Sequence, residues 1–302
     1  MTTMSNTAKK LITHYGSFHA DDIFAAATLS LYFEKKGEAF EFIRTRDEEI
    51  IKSGDVVFDV GGVYDPAKDR FDHHQTGGAG KRDNGVEYAS FGLVWKKFGM
   101  DLCGDQKVFD FIDKKLVAPI DAWDNGFDLY DLRGEVSPYL LQHLFFAMYP
   151  TWKEDENTKD ERFFKCVEIA KLVLSREIVQ ASDAVEAEEE LLKAYNNTVD
   201  KRIIILDQNY PFEFVFHNFP EPVFVVYPRK TDNTWGVKVV RSDPKTFSSR
   251  RDLPESWGGL KGEEFQKITG VSDAIFCHRA LFLCGAKSRE GAIKLAQIAL
   301  ES

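Results

Sequence analysis

The stretch DVVFDVGG at residues 55–62 decides the predicted fold. Its apolar, β-branched first half is typical of a buried strand, and its two glycines end that strand. Asp59 is therefore expected at a strand's carboxyl end. Upstream, KKLITH (9–14) and FEFIRT (40–45) predict two further strands, and DDIFAAATLSLYFEKKG (21–37) predicts a buried helix closed by Gly37.

Strands that alternate with helices predict an α/β fold with a mainly parallel sheet and flanking helices. Ligand sites in such folds lie at the carboxyl ends of the strands, so His14 and Asp59 should meet there. Helical patterns continue through VEYASFGLVWKKFG (86–99) and QKVFDFIDKKLVAPIDAW (106–123).

The composition changes after residue 160. Residues 160–200 have a long helical periodicity with an acidic face, which predicts a connecting helix. Short apolar runs such as RIIILD and PVFVVYPR follow, mixed with helical patterns at GEEFQKITG and at 288–301. We therefore predict a catalytic domain at 1–160, a helical connection at 161–200 and a smaller α+β substrate-binding domain at 201–302.

Composition and charge limit the classes of function. The net charge of −10 disfavours binding of polyanions through the whole surface. No apolar run reaches the length of a membrane span, and the four cysteines form no CxxC pair. The N-terminus shows no signal-peptide pattern. We expect a cytoplasmic protein that is neither membrane-bound nor secreted, with the nucleus and the mitochondrion left open.

Histidine and aspartate concentrate in four segments: HYGSFHADD with His14, His19 and Asp21, FDVGG with Asp59, FDHHQ with Asp72, His73 and His74, and PIDAWDNG with Asp121 and Asp124. Imidazole and carboxylate ligands without thiolate suit Mn²⁺, Fe²⁺, Co²⁺ or Zn²⁺, and shared carboxylates suit a pair of ions. Phosphoester hydrolysis is the reaction that such a pair favours. Asp124 is also interpretable as a turn former, because DNG is a strong turn signal.

The order of these motifs resembles the DHH phosphoesterase superfamily. More closely, THYGSFHADD, FDVGGVYDP, FDHHQ, APIDAWDNG and WGGLKGEEFQKITGVSDAIFCHRALFLCGA resemble the MYG family of metal-dependent hydrolases and exonucleases. The resemblance covers nearly the whole chain and implies a DHH-like catalytic domain.

The resemblance implies roles for the catalytic domain. One ion would be held by His14, His19 and Asp59; the other would be held by Asp21, Asp59, His73 and Asp121. His74 would face the substrate phosphate, and Asp72 would orient a histidine. The first motif here is HxxxxHxD, whereas most of the superfamily has HxxxDxD. Mn²⁺ is the expected metal, with Mg²⁺, Co²⁺, Fe²⁺ and Zn²⁺ as alternatives.

The second domain has its own candidates for substrate binding. GGLKGEEF resembles the superfamily's glycine-rich substrate loop, in which backbone N–H groups approach a phosphate closely. Basic residues nearby could contact phosphate, and Arg279 could also stabilise developing charge. The predicted set is Gly258, Gly259, Lys261, Gly262, His278, Arg279, Arg241 and Lys238.

The resemblance implies a 3′ to 5′ exonuclease acting on single-stranded RNA or oligonucleotides, whereas the residues themselves support only phosphoester or phosphoanhydride hydrolysis. A small-molecule phosphatase or pyrophosphatase and a non-catalytic binding protein with the same fold are the alternatives. The oligomeric state is left open, a homodimer included.

Overall fold

The computed structural model describes residues 8–132, 134–243 and 246–302. The chain divides into two compact units, Met1–Ser182 and Asp183–Ser302. The boundary falls within one long helix, α7 (Lys159–Asn197), which occupies the region where a helical connection is predicted. The assignment of a catalytic role to 1–160 and of a substrate-binding role to 201–302 stays a prediction.

The first unit combines a sheet with helices on its faces. Its elements before α7 are β1 (Lys9–Thr13), α1 (Ala20–Lys36), β2 (Phe40–Arg44), α2 (Glu48–Lys52), β3 (Val56–Phe58), β4 (Tyr64–Asp65), β5 (Arg70–Phe71), α3 (Ser90–Cys103), α4 (Gln106–Ile112), α5 (Ala118–Asp124) and α6 (Leu141–Phe146). Among the described residues, the strands form one sheet in the order β2-β1-β3-β5-β4.

Most of this sheet is parallel. β1 pairs with β2 and β3, and β3 pairs with β5, all in parallel, whereas β4 pairs with β5 antiparallel. The carboxyl ends of β1, β3 and β5 therefore lie along one edge of the sheet. The predicted α/β class with a mainly parallel N-terminal sheet is confirmed.

Helix α1 is buried over most of its length, as its run of alanine, leucine and phenylalanine predicts. It packs on α3, where the rings of Phe24 and Phe91 stack with centroids 5.3 Å apart. Gly37 ends α1 with a φ of +69°, a conformation that glycine adopts without steric cost.

The predicted helical pattern at 106–123 is broken in the structure. A π-helical turn at Asp113–Val117 separates α4 from α5, whose second residue is Pro119. Proline lacks an N–H, and its ring clashes with the preceding turn, which favours such an irregularity. The turn sets the direction in which α5 presents its aspartates.

The second unit has a mixed sheet of its own. Its elements after α7 are β6 (Ile203–Ile205), α8 (Glu213–Phe216), β7 (Phe224–Arg229), β8 (Thr234–Val239), α9 (Gly262–Thr269), β9 (Ala274–Cys277), β10 (Leu283–Ala286) and α10 (Arg289–Glu301). Among the described residues, the strand order is β6-β7-β8-β10-β9, with β6 and β7 parallel and the other pairs antiparallel. The predicted smaller α+β part is confirmed.

Candidate metal centre

The predicted ligands follow directly after the strands of the first unit. His14 follows β1, Asp59 follows β3, and Asp72 to His74 follow β5. These three strands are neighbours in the sheet and run in the same direction. The topology therefore brings three separate sequence motifs to one edge of the sheet.

Asp59 lies at the centre of this group. Its Oδ2 is 3.2 Å from Nε2 of His14, and its Oδ1 is 3.5 Å from Nε2 of His73 and 3.6 Å from Nδ1 of His74. The residue is 4% exposed and has a φ of +54°, a left-handed conformation that is uncommon outside glycine. Such backbone strain is typical of functional sites, where the surrounding structure enforces it.

Asp22, which the sequence analysis missed, contacts the same nitrogen of His14 as Asp59 does. Its Oδ2 is 3.2 Å from Nε2 of His14, and its Oδ1 accepts the backbone N–H of His19 at 2.7 Å. The contact with His19 is half of a capping box, so the only signal in the sequence was the spacing of a helix start. Burial opposes protonation of His14, but Asp22 and Asp59 outweigh it and raise its pKa to about 10.

His73 faces a second carboxylate as well. Its Nε2 is 3.3 Å from Oδ2 of Asp124, in addition to its contact with Asp59. Its Nδ1 lies 3.3 Å from Oδ1 of Asn125, and a hydrogen bond donated there leaves Nε2 facing the carboxylates of Asp59 and Asp124. Burial opposes protonation of His73, but Asp124 and Asp59 outweigh it and raise its pKa to about 11. Asn125, the second residue of the turn in WDNG, was also missed.

These contacts fit a cation better than a set of hydrogen bonds. Nε2 of His14, Oδ2 of Asp22 and Nε2 of His73 are buried, yet none has a hydrogen-bond partner among the described residues. The facing nitrogen and oxygen atoms lie 3.2 to 3.5 Å apart. Atoms that converge without bonding to one another are what metal ligands present, and buried carboxylates need positive charge nearby.

Among the residues that the structure describes, three groups of side chains have ligand atoms within 4.8 Å of one another. Asp59 belongs to two of them, as expected for a bridging carboxylate. Imidazole and carboxylate donors without thiolate fit a divalent first-row metal. The groups are His14 with His19 and Asp59, Asp59 with His73 and His74, and Asp21 with His73 and Asp124.

Asp72 holds His74 in place. Its Oδ1 accepts the backbone N–H of His74 and lies 2.7 Å from Nδ1 of the same residue, and its Oδ2 accepts the N–H of Gly62 at 2.5 Å. The side chain of His74 is 62% exposed, and its pKa is raised chiefly by Asp72. The orienting role of Asp72 in catalysis stays a prediction.

Asp121 differs from its predicted position as a metal ligand. Its Oδ2 accepts a hydrogen bond from Nη1 of Arg82 at 2.7 Å, and its Oδ1 accepts the N–H of Gly92 at 3.0 Å. It is absent from the three groups of converging side chains, and the carboxylate that α5 brings to His73 belongs to Asp124. The physical reason is that the start of α3 needs acceptors, and Asp121 supplies one.

Asp21 serves both the cluster and the start of α3. Its two oxygens accept the N–H groups of Ser90 and Phe91, at 3.1 and 2.7 Å. Asp21 and Asp121 together therefore satisfy the first three free N–H groups of α3. Gly92 is required there, since a Cβ at this position would lie 1.9 Å from Oδ2 of Asp121. Burial, followed by Asp124 and Asp59, raises the pKa of Asp21.

A depression of about 300 Å³ opens above the first ligand group. Its lining adds Arg46, Gly61 and Gly62 to the predicted residues. Nε of Arg46 donates to the carbonyl of Tyr15 at 3.0 Å, and its Nη2 lies 3.5 Å from Nδ1 of His14. Arg46 was missed, although it follows β2 at the same edge of the parallel sheet.

In the second unit, the glycine-rich loop lies beside the end of β9. The N–H of Gly259 donates to the carbonyl of Cys277 at 3.1 Å, and Lys261 bridges to Phe276. Gly262 begins α9. His278 and Arg279 follow β9 directly, so the structure brings these two residues together with Gly258, Gly259, Lys261 and Gly262.

The two basic residues around β8 have partners of their own. Lys238 forms an ion pair with Glu213 and lies 5.6 Å from the ring centroid of Phe212. Arg241 bridges to Ser249 and lies over the ring of Phe247. Contact of either residue with a substrate stays a prediction.

Comparison with known proteins identifies the family. The profile described as MYG1_exonuc, uncharacterised protein family UPF0160, matches residues 10–300. This chain belongs to the MYG1 family. The MYG1 exonucleases of Bos taurus and Homo sapiens are 31% and 30% identical to it, over 95% of this chain and 84% and 85% of their own lengths. The MYG1 protein of Dictyostelium discoideum is 29% identical, over 95% of this chain and 94% of its own length.

A solved structure, RecJ from Thermus thermophilus in complex with Mg²⁺, aligns with a TM-score of 0.29 and 11% identity. The alignment covers 98% of this MYG1-family chain and 50% of that chain. Within the described residues, no helix is both long enough and apolar enough to cross a membrane.

Proposed function

We propose that this MYG1-family protein is a divalent-metal-dependent phosphoesterase that degrades RNA or oligonucleotides as a 3′ to 5′ exonuclease. The observation that carries the proposal is the convergence of unpaired, buried ligand atoms on Asp59. Membership of a family whose mammalian relatives are named exonucleases supports the nuclease part of it. RNA as substrate and the direction of degradation rest on the resemblance of the motifs.

Two sets of side chains would hold two cations, with Mn²⁺ favoured. His14, His19 and Asp59 would form one set, with Asp22 close to it, and Asp21, Asp59, His73 and Asp124 would form the other. Bound there, the cations would lower the pKa of a water molecule and offset the charge of the phosphoryl group. Asp59 would be shared by both sets.

Other side chains at the same edge of the first sheet would contact the substrate. His74 is exposed and donates from Nδ1 to Asp72, so its Nε2 is free to hold a proton next to a phosphoryl oxygen. Asp72 would be a positioning residue for this imidazole. Arg46 offers a guanidinium beside His14 that would bind an RNA phosphate other than the reacting one.

Residues of the second unit would supply further contacts. Lys261, His278 and Arg279 are exposed beside the glycine-rich loop, and their side chains form a surface of donors suited to phosphate. We propose that this surface binds phosphates of the substrate.

The experiment that tests the proposal is hydrolysis of single-stranded RNA, single-stranded DNA and pyrophosphate with added Mn²⁺ or Mg²⁺. RNA labelled at its 5′ end should give a ladder of shortened products, because a 3′ to 5′ enzyme removes the unlabelled end first. Immediate release of a labelled mononucleotide would reverse the direction. Cleavage of pyrophosphate alone would select a small-molecule phosphatase.

Asp59→Asn provides the matched variant, because asparagine tolerates a left-handed backbone but lacks the charge. We expect the rate of hydrolysis to fall at least about 100-fold. This loss exceeds the one typical of replacing a residue that only hydrogen-bonds to a metal ligand. Asp69→Asn is the control, since Asp69 also has a positive φ, of +55°, but pairs with Lys97. If Asp59→Asn retains full activity, the proposed metal centre is wrong.

A further inference from the structure

An apolar pocket lies next to the metal centre within the first unit. It has a volume of about 180 Å³. Asp21 and Asp124, which form a ligand group with His73, also line this pocket. Its remaining wall is mostly apolar and comes from the π-helical turn, α5, the chain after α5 and the start of α6, with Leu116, Ile120, Trp123, Leu129, Leu140 and Leu141. Lys115 also lines the pocket, and its ammonium group is paired with Glu177.

The size and lining of the pocket suit one aromatic ring. A cavity of about 150 Å³ lined by apolar side chains is large enough to bind benzene. The indole of Trp123 offers a flat face for stacking, and leucine and isoleucine cover the remaining sides. Such a wall disfavours a phosphate or a sugar, which would lose hydrogen bonds to water on entering it.

Gln142 gives the pocket a side-chain amide whose N–H donor has no partner among the described residues. It lines the pocket, is 3% exposed, and its Oε1 accepts the N–H of Ala20 at 2.6 Å. Only the carbonyl oxygen of an amide can accept that bond, so the orientation of the amide is set and Nε2 remains a donor. Nε2 has no hydrogen-bond partner among the described residues. A buried donor of this kind indicates a partner with an acceptor.

We infer that this pocket binds the base of the nucleotide whose phosphate is cleaved. The inference rests on the proposed function and specifies its substrate. A nucleobase is a flat ring with acceptor atoms on its edge, which matches an apolar wall with a single free amide donor. Asp21 and Asp124 belong to both sites, so a ring in the pocket places its attached phosphate beside the metal ligands. The pocket is not a reader of sequence, because every base has a stacking face and an acceptor.

The test compares the binding of two ligands in the presence of Mg²⁺, uridine 5′-monophosphate and ribose 5-phosphate. The two ligands differ only in the base. We expect the nucleotide to bind about tenfold more tightly, since base stacking contributes about 1–3 kcal/mol. It should also quench the fluorescence of Trp123, and Trp123→Phe should remove this signal. Equal affinity of the two ligands for the wild type would overturn the inference.

Leu141→Phe tests the location by filling the pocket. We expect it to abolish the advantage of the nucleotide over ribose 5-phosphate. The control is Leu172→Phe on α7, where the side chain is 66% exposed. The advantage should persist in the control; its persistence in Leu141→Phe would place the base elsewhere.

A hydrolysis assay distinguishes failure of this inference from failure of the proposed function. RNA with an abasic 3′-terminal residue keeps every phosphodiester but cannot fill the pocket. The wild type should cleave its terminal bond about tenfold more slowly than that of intact RNA. Equal cleavage would overturn the inference and leave the proposed function standing, whereas no cleavage of either RNA would remove the proposed function itself.

Discussion

Asp121 and Asp124 lie one turn apart on α5, but their carboxylates have different partners. Asp121 accepts a hydrogen bond from Arg82 at 2.7 Å, whereas Oδ2 of Asp124 lies 3.3 Å from Nε2 of His73. Asp121 is fully buried and caps α3 through Gly92. Asp121 thus contacts Arg82 and α3, whereas Asp124 contacts His73, so we expect Asp121 to contribute chiefly to stability and Asp124 to cation binding.

The first prediction separates these two roles. Asp124→Asn should weaken Mn²⁺ binding at least about tenfold, because the change removes a charged ligand beside His73. Asp121→Asn should weaken it far less. Calorimetric titration with Mn²⁺, at a temperature where circular dichroism shows both variants folded, measures the difference. A larger loss in Asp121→Asn would restore Asp121 as the ligand.

Much of the site could be predicted because the parallel sheet constrains it. His14 and Asp59 each follow a predicted apolar strand, and parallel strands bring their carboxyl ends together whatever lies between them in the sequence. The two-residue strand β5 before Asp72 and His73 was not predicted. Periodicity also located α1, which buries most of its residues. The local sequence pattern was sufficient to predict where a residue lies wherever a single strand or helix fixed the position of its side chain.

The remaining ligands depend on contacts between elements distant in sequence. The choice between Asp121 and Asp124 follows from the free N–H groups of α3, from Arg82 and from the π-helical turn before α5. Asp22 can be recognised as part of the site only from its contact with His14 in the structure. None of these relationships leaves a periodic signal in the sequence.

The second prediction concerns the buried pair of Arg82 and Asp121. Arg82→Met should lower the free energy of unfolding by about 3–5 kcal/mol, because it leaves Asp121 buried without its cationic partner and also removes the ion pair with Asp113. Lys114→Met, at an exposed lysine of the π-helical turn, should change it by less than about 0.5 kcal/mol. Urea denaturation measures both, and equal values would show that the pair contributes nothing.

The third prediction is a pH dependence of stability. Burial, opposed by Arg82, raises the pKa of Asp121 from 3.8 to about 7, so the folded state favours its protonated form. The resulting contribution to stability is complete below pH 3.8 and is lost as the pH rises through about 7. In chelator, the wild type should lose stability relative to Asp121→Asn over this range. A constant difference between the two proteins would contradict the assignment.

The fourth prediction addresses Asp72 as the residue that orients His74. Asp72→Asn should lower kcat about 10- to 100-fold with little change in KM, since it disturbs the imidazole and not the binding surface. Asp72 is the main cause of the raised pKa of His74, so the alkaline limb of the kcat profile should move to lower pH. Asp65→Asn, whose carboxylate pairs with Lys68, should leave the profile unchanged. An unshifted profile in Asp72→Asn would rule out His74 as the proton donor.

The last prediction concerns Arg46, which lines the depression above His14. Arg46→Ala should raise KM for RNA and leave kcat nearly unchanged, because an exposed guanidinium at this edge attracts phosphate without reaching the reacting atoms. The loss of one phosphate contact should also reduce the dependence of KM on salt concentration. Arg176→Ala, at an exposed arginine of α7, provides the matched control and should alter neither quantity. If Arg46→Ala lowers kcat at saturating RNA while KM stays constant, Arg46 acts on the reacting phosphate and not on binding.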